Sequence, residues 1–304
     1  MLNRDVHRYL ELQRSLGFKF RIQGSLLKNF VSFAEVHGDR FVQTSRAIEW
    51  AGYAPSAPQR YNRLATVRRC ALALHAEDAR HEVPPSDVYG RQWSKRTTPY
   101  LFTPQETARL IEAARQLGPK HSIRPLTYAT LFGLLAATGL RISEALSLQL
   151  NDLTSDGLLI RATKFKKDRL VPLHVSTRAA LEGYLAVRSQ MASVDQALFL
   201  SPAGTVPKYP TVIKVFLSLV RRLGLRGAPG QPGPRLHDLR HVFAVRSLEH
   251  CRADRPSIAR HMVGLSTYLG HAHVSDTYWY LQATPALMRQ IANIGEALHR
   301  GDRT

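Results

Sequence analysis

Cysteine is nearly missing from this chain: Cys70 and Cys251 are the only two among 304 residues. Two cysteines cannot build a disulfide framework, and neither belongs to a CxxC pair, which excludes a stapled scaffold and a cysteine-based zinc site. Long apolar runs are missing too. No uncharged stretch reaches the ~18–20 residues a membrane-spanning helix needs; the longest candidate, Pro125 to Leu140, is shorter and reads as a buried helix. The opening segment MLNRDVHRYLELQRSLGFKF has no apolar signal-peptide core. The expected location is therefore the cytoplasm, in association with the nucleoid. Acidic residues are scarce: 23 Asp and Glu stand against 42 Lys and Arg, a formal net charge of +19.

What is present follows from that imbalance. A strong positive field implies a polyanionic partner, because phosphates neutralised by Lys and Arg release condensed counterions. The charge is not a tail. Residues 1–95 hold 15 basic and 9 acidic side chains, a net of +6, which leaves 27 against 14, or +13, for residues 96–304. Two basic folded regions suit a clamp around a duplex better than one basic arm does. A hydrophobic content of 44% with 21% charged residues is globular, and the length suffices for two domains with their own cores.

Periodicity predicts four helices in the first region, at Val6 to Leu16, Ser25 to His37, Thr44 to Ala51 and Gln59 to His75. The last carries Arg60, Arg63, Arg68 and Arg69, expected largely on one side as DNA contacts. This helical domain is expected over 1–83. A polar, basic, proline-bearing linker follows over 84–100, and its Lys95 and Arg96 are further candidates for phosphate contact. The second domain, 101–304, opens at Thr103-Pro104-Gln105-Glu106, a capping pattern. Helices are expected at about 104–117, 124–137 and 141–149. Two short antiparallel strands, Leu158 to Arg161 and Arg169 to Pro172, come next, joined by a turn with Lys164, Lys166 and Lys167. Helices resume at about 176–191, 210–223, 237–249, 256–267 and 285–298. The fold class is mainly α with a small antiparallel sheet.

Four segments carry chemistry in order. Ala137-Thr-Gly-Leu-Arg141-Ile-Ser-Glu144 puts an arginine at a helix start after a glycine turn, where its planar fork can meet a phosphate. Lys164 on the hairpin turn can present a proton in a groove, with Lys166 and Lys167 as competitors or as solvated phosphate-steering charges. In Leu236-His237-Asp238-Leu239-Arg240-His241, His237 and Arg240 are three apart and share a helix face. In Tyr268-Leu-Gly-His271-Ala-His273-Val-Ser-Asp-Thr-Tyr278-Trp279-Tyr280-Leu, His271 precedes Tyr280 by nine residues.

Together these segments resemble the tyrosine recombinase (phage integrase) family, over roughly residues 100–290, and the helical first region resembles in kind that family's core-binding domain. The wording LSTYLGHAHVSDTYWYL followed by TPALM is most similar to transposon-borne recombinases. The resemblance implies an active site of Arg141, Lys164, His237, Arg240, His271 and Tyr280, acting on a double-stranded DNA recombination site. It also implies a synaptic tetramer, with sister recombinases as further partners.

In such a site Tyr280 would attack a phosphodiester and store its energy as a 3′-phosphotyrosine. His237 would accept the phenol proton. Arg141, Arg240 and His271 would hold the transition-state oxygens, and Lys164 would protonate the leaving 5′-oxygen. No cofactor, nucleotide or metal is implied, and His250, His261, His271 and His273 with Cys251 match no zinc spacing. Tyr278 is the rival nucleophile; two residues along a helix, it points about 200° from Tyr280. A DNA-binding accessory subunit that no longer cuts and a type IB topoisomerase are the competing readings.

Overall fold

The computed structural model describes residues 1–90, 98–119, 121–161, 168–191, 195–251, 255–271, 273 and 275–282, apart from the side chains of 255, 256, 278, 279, 281 and 282. Lys95, Arg96, Lys164, Lys166, Lys167 and the helix expected at 285–298 lie outside the described residues. Two compact units emerge, Met1–Thr97 and Thr98–Thr304.

Among its described residues the first unit holds four helices: α1 (Leu2–Ser15), α2 (Arg21–Val36), α3 (Thr44–Gly52) and α4 (Ala57–Glu77). Each of the first two begins four residues earlier than periodicity predicts, and Leu2 is fully buried, which extends the apolar stripe of α1 upstream. The stripes converge on Leu10, Leu27, Phe30, Trp50, Val67 and Leu74. The polar indole nitrogen of Trp50 is satisfied by donating to Asn29 Oδ1 at 2.8 Å.

Arg60, Arg63 and Arg68 fall within about 140° of the circumference of α4, and Arg69 lies about 180° from Arg60. All four also secure local backbone, Arg69 by donating to Ala65 O at 3.2 Å. Arg60 donates to Ala54 O, Arg63 lies over the Trp50 ring and donates to Trp50 O, and Arg68 donates to Pro84 O. The start of the expected linker packs within the first unit. Pro84 is buried, and Tyr89 donates to Ile48 O at 2.6 Å.

Among its described residues the second unit is mainly helical with a two-stranded antiparallel sheet, as its sequence predicts. α5 (Pro104–Arg115) starts on the Thr103 and Glu106 capping box, both of whose hydrogen bonds form. α6 (Arg124–Thr138) is apolar around most of its circumference and is enclosed by α5, α8 (Val175–Arg188) and α10 (Asp238–Glu249). α7 (Ile142–Ser147) is shorter than expected. Leu148 leaves the helix so that its carbonyl accepts from Leu198 at 2.7 Å, and a single 3-10 turn follows at Leu150–Asp152. β1 (Leu158–Ile160) pairs with β2 (Arg169–Val171) in the register Leu158 to Val171. α9 (Tyr209–Arg222) buries Val212, Phe216 and Leu219. α11 (Arg255–Leu269) and α12 (Ser275–Gln282) close against α10. No periodicity singles out α12; it is held by burying Thr277 and Tyr280. No helix among the described residues is long and apolar enough to cross a membrane.

Candidate active site

The site forms where α6, α7, α10, α11 and α12 bring their ends together. α6 stops at Gly139, whose φ of +62° is natural only for glycine, and a Cβ there would lie 2.5 Å from the Phe243 ring. The turn delivers Arg141 to the N-cap of α7, where its side chain is part-buried. Its backbone N–H and its guanidinium both donate to Glu144, at 2.9 and 2.8 Å.

Glu144 is buried and takes a second, bidentate arginine, Arg169 of β2, at 2.8 and 3.1 Å. Burial would raise its pKa, but donation from Arg169 and Arg141 outweighs that and holds the carboxyl below its ordinary value. Glu144 therefore carries the compensating charge for two guanidinium groups. Arg169 carries no signal in the sequence beyond being one basic residue among 42.

The other compensating feature is the C-terminal end of α11. Its last carbonyls have no intrahelical donors and form the negative end of the helix dipole. Arg169 donates to Tyr268 O at 2.8 Å, Arg240 to Leu269 O at 2.7 Å, and Arg141 to Gly270 O at 3.2 Å. Three arginines from distant segments are thus seated on three successive carbonyls. Gly270, at φ +64°, completes the turn, and a Cβ on it would meet Arg169 Nη1 at 2.8 Å.

Arg240, in the first turn of α10, is 2% exposed. It donates to Gly139 O at 2.7 Å, and its Nη2 lies 3.0 Å from His271 Nε2. Burial, then the nearby Arg141 charge, lower its pKa to about 10, so it stays charged at neutral pH. Tyr280 is buried and packs its ring on His271, with centroids 6.1 Å apart and planes 18° off parallel. Burial raises the phenol pKa, against the charge and hydrogen bond of Arg240. The phenol is therefore protonated at neutral pH.

His237 caps α10 and keeps an edge open to solvent. Its ring meets His241 edge-on at 4.6 Å, and His241 in turn lies 5.4 Å from Tyr280. The buried His241 neighbours both the expected base and the expected nucleophile, a position its sequence context did not suggest. Only its place at the end of His237-Asp238-Leu239-Arg240-His241 could have signalled it. Of the six expected residues, the structure gathers Arg141, His237, Arg240, His271 and Tyr280; Lys164 lies outside the described residues, as does the Tyr278 side chain. His261 Nε2 instead pairs with Ser247 Oγ at 2.9 Å, and His250 Nδ1 with Arg246 O at 2.7 Å. No group of three or more metal-ligating side chains occurs among the described residues.

Burial is the first cause that lowers the histidine pKa values, to about 4 for His237, about 3 for His241 and about 4 for His271; neighbouring positive charges add to it. Solvent at the open edge of His237 moderates its share. A histidine depressed in the fold binds its proton more readily when unfolded. Its contribution is therefore complete above its unfolded pKa of about 6.5 and is lost as pH falls toward the folded value. His241, the most enclosed, accounts for on the order of 2–4 kcal/mol. The calorimetric melting temperature of the second unit should drop by several degrees between pH 7 and 5, and His241→Gln should flatten that dependence. A melting temperature indifferent to pH over this interval contradicts the assignment.

Comparison with known proteins gives a consistent set of likenesses. The profile of the phage integrase family matches residues 101–286. A Sinorhizobium fredii protein, y4rB, provisionally named an integrase/recombinase, is 41% identical over 296 residues, 94% of each chain. The tyrosine recombinase XerD of Brucella abortus is 28% identical over 260 residues, 82% of this chain and 79% of XerD. Among solved structures, the XerH recombinase on its difH substrate matches with a TM-score of 0.65 at 18% identity, over 90% of this chain and 79% of that one. A lambda integrase dimer on a core site matches at 0.63 and 18% identity, over 92% and 76%. At these identities the structures speak for the fold.

Proposed function

The chain belongs to the phage integrase family of tyrosine recombinases, and from that premise we propose that it cleaves and rejoins DNA at specific sites through a 3′-phosphotyrosine on Tyr280. The observation that most supports this reading is that one buried guanidinium, Arg240, touches both His271 and Tyr280. A phosphate bridging Arg141 and Arg240 would lie against the phenol that attacks it. Developing charge on its non-bridging oxygens would be met by the guanidinium groups of Arg141 and Arg240, which Glu144 and the carbonyls of Leu269 and Gly270 already hold in position.

His237 receives the phenol proton, and the ring of His241 packs against both His237 and Tyr280. Lys164, from the turn joining β1 and β2, protonates the leaving 5′-oxygen. Attack forms the O–P bond of the ester and breaks the P–O5′ bond; a second strand's 5′-hydroxyl reverses the step and regenerates the phenol. Two basic regions, 1–83 and 101–304, joined by 84–100, grip the duplex. Arg60, Arg63, Arg68, Arg69, Lys95, Arg96, Lys166 and Lys167 contribute phosphate contacts. The protein acts on two duplexes as a tetramer, in the transposition or integration of a mobile element.

The test is adduct capture. The protein is mixed with a lightly nicked genomic library of the organism that encodes it, and SDS-resistant protein–DNA adducts are isolated and sequenced. Reads should converge on one short site, and peptide mapping should place the phosphodiester on Tyr280. DNA binding without any adduct would instead favour an accessory subunit. Adducts spread over all sequences, with relaxation of supercoiled plasmid, would favour a topoisomerase.

A further inference from the structure

Thr277 has no exposed surface and sits three residues before Tyr280, on the same short helix. Its Oγ1 lies 2.8 Å from His271 Nδ1, while the other ring nitrogen, Nε2, faces Arg240 Nη2 at 3.0 Å. These two contacts fix where the imidazole proton is. A guanidinium can only donate, so Nε2 must accept. The single proton of the neutral ring is then on Nδ1 and is donated to Thr277 Oγ1.

In that state His271 has no proton to offer a phosphate oxygen, contrary to the donor role expected of it. Charging the ring is the costly remedy. Burial and the charges of Arg240, Arg141 and Arg169 all oppose an imidazolium, and Asp276 counters them only in part. The inexpensive remedy is a change of tautomer. When a phosphate draws the Arg240 donor to itself, Nε2 loses its partner. The Nδ1–H bond can then break and an Nε2–H bond form by exchange with water, with no change in charge. Nδ1 now needs a donor, and a threonine hydroxyl carries both a donor hydrogen and acceptor lone pairs on a rotor.

We propose that Thr277 is a positioning residue for His271: its hydroxyl accepts from Nδ1 in the free protein and donates to Nδ1 when phosphate is bound, letting a neutral His271 switch from acceptor to donor. The idea rests on the recombinase reading above for its phosphate, but not for its free-state geometry. Because Thr277 and Tyr280 share one helix, the same contact ties the ring to the element that carries the nucleophile.

Two measurements test it. Nitrogen-15 NMR of the free, full-length protein should show His271 protonated on Nδ1; a ring protonated on Nε2 overturns the proposal whatever the DNA results. On a nicked duplex carrying the captured site, Thr277→Val should slow covalent adduct formation by about 30-fold with DNA affinity unchanged, and Thr277→Ser should restore it to within about 3-fold. The double variant Thr277→Val with His271→Gln should be no slower than His271→Gln alone, since Thr277 acts only through that ring. Additive losses, or a serine variant as slow as valine, overturn the proposal. Failure of the unaltered protein to form any adduct would remove the recombinase reading while leaving the NMR result standing.

Discussion

Tyr280→Phe should form no SDS-resistant adduct with DNA, while Tyr278→Phe should form it at close to the unaltered rate. The expected loss is complete because a phenyl ring has no atom able to bond phosphorus, and no environment compensates for that. The substitution is mild in every other respect. Tyr280 is buried in the cluster of Val245, Leu248, Leu265 and Leu269, and phenylalanine fills the same volume there. The hydroxyl it removes is the group that interacts with Arg240, and Arg240 retains Gly139 O, Leu269 O and His271 as acceptors. A folded, DNA-binding, inert protein is the expected product, shown by unchanged mobility shift and absent adduct. An adduct that survives Tyr280→Phe and vanishes with Tyr278→Phe would move the nucleophile two residues upstream.

The second large effect belongs to Arg240. Arg240→Lys should slow adduct formation by about 100-fold or more, and Arg240→Ala by about 1,000-fold. The lysine variant keeps the charge, so its loss isolates geometry. One guanidinium here satisfies Gly139 O, Leu269 O and His271 Nε2 from two separate nitrogens. A single ammonium on a flexible stem cannot occupy both positions. DNA affinity should fall little, because many phosphate contacts share that term and one lost contact reduces the salt slope by only about 1. Single-turnover rates at saturating protein, beside melting curves for both variants, separate chemistry from folding. A lysine variant that cleaves within a few-fold of the unaltered chain would show that Arg240 serves the fold and not the phosphate.

The linear order of residues settled a good deal. Scarce acidic residues and abundant arginine announce a polyanionic partner. The capping pattern at Thr103 and Glu106 places the start of α5, because capping is a contact between residues three apart. Gly139 before Arg141, His237 before Arg240 and His271 nine residues before Tyr280 identify the family, since spacing within a segment is a local property that sequence displays directly. Lys164 still rests on that sequence alone.

What tertiary structure alone decided are the contacts between segments. Glu144 meets Arg169 across 25 positions and Arg240 meets His271 across 31, and no periodicity links such residues. The seating of Arg141, Arg169 and Arg240 on the carbonyls of 268–270 was equally hidden, because an unpaired helix end becomes a binding feature only once other elements arrive there. The placement of His241 beside Tyr280 and of Thr277 under His271 follows from how α10, α11 and α12 close on one another. So does the protonation pattern of the site: burial sets the histidine pKa values, and burial is a property of the packed chain. Helix propensity even undersold α12, a segment made stable by the residues it buries rather than by those it contains.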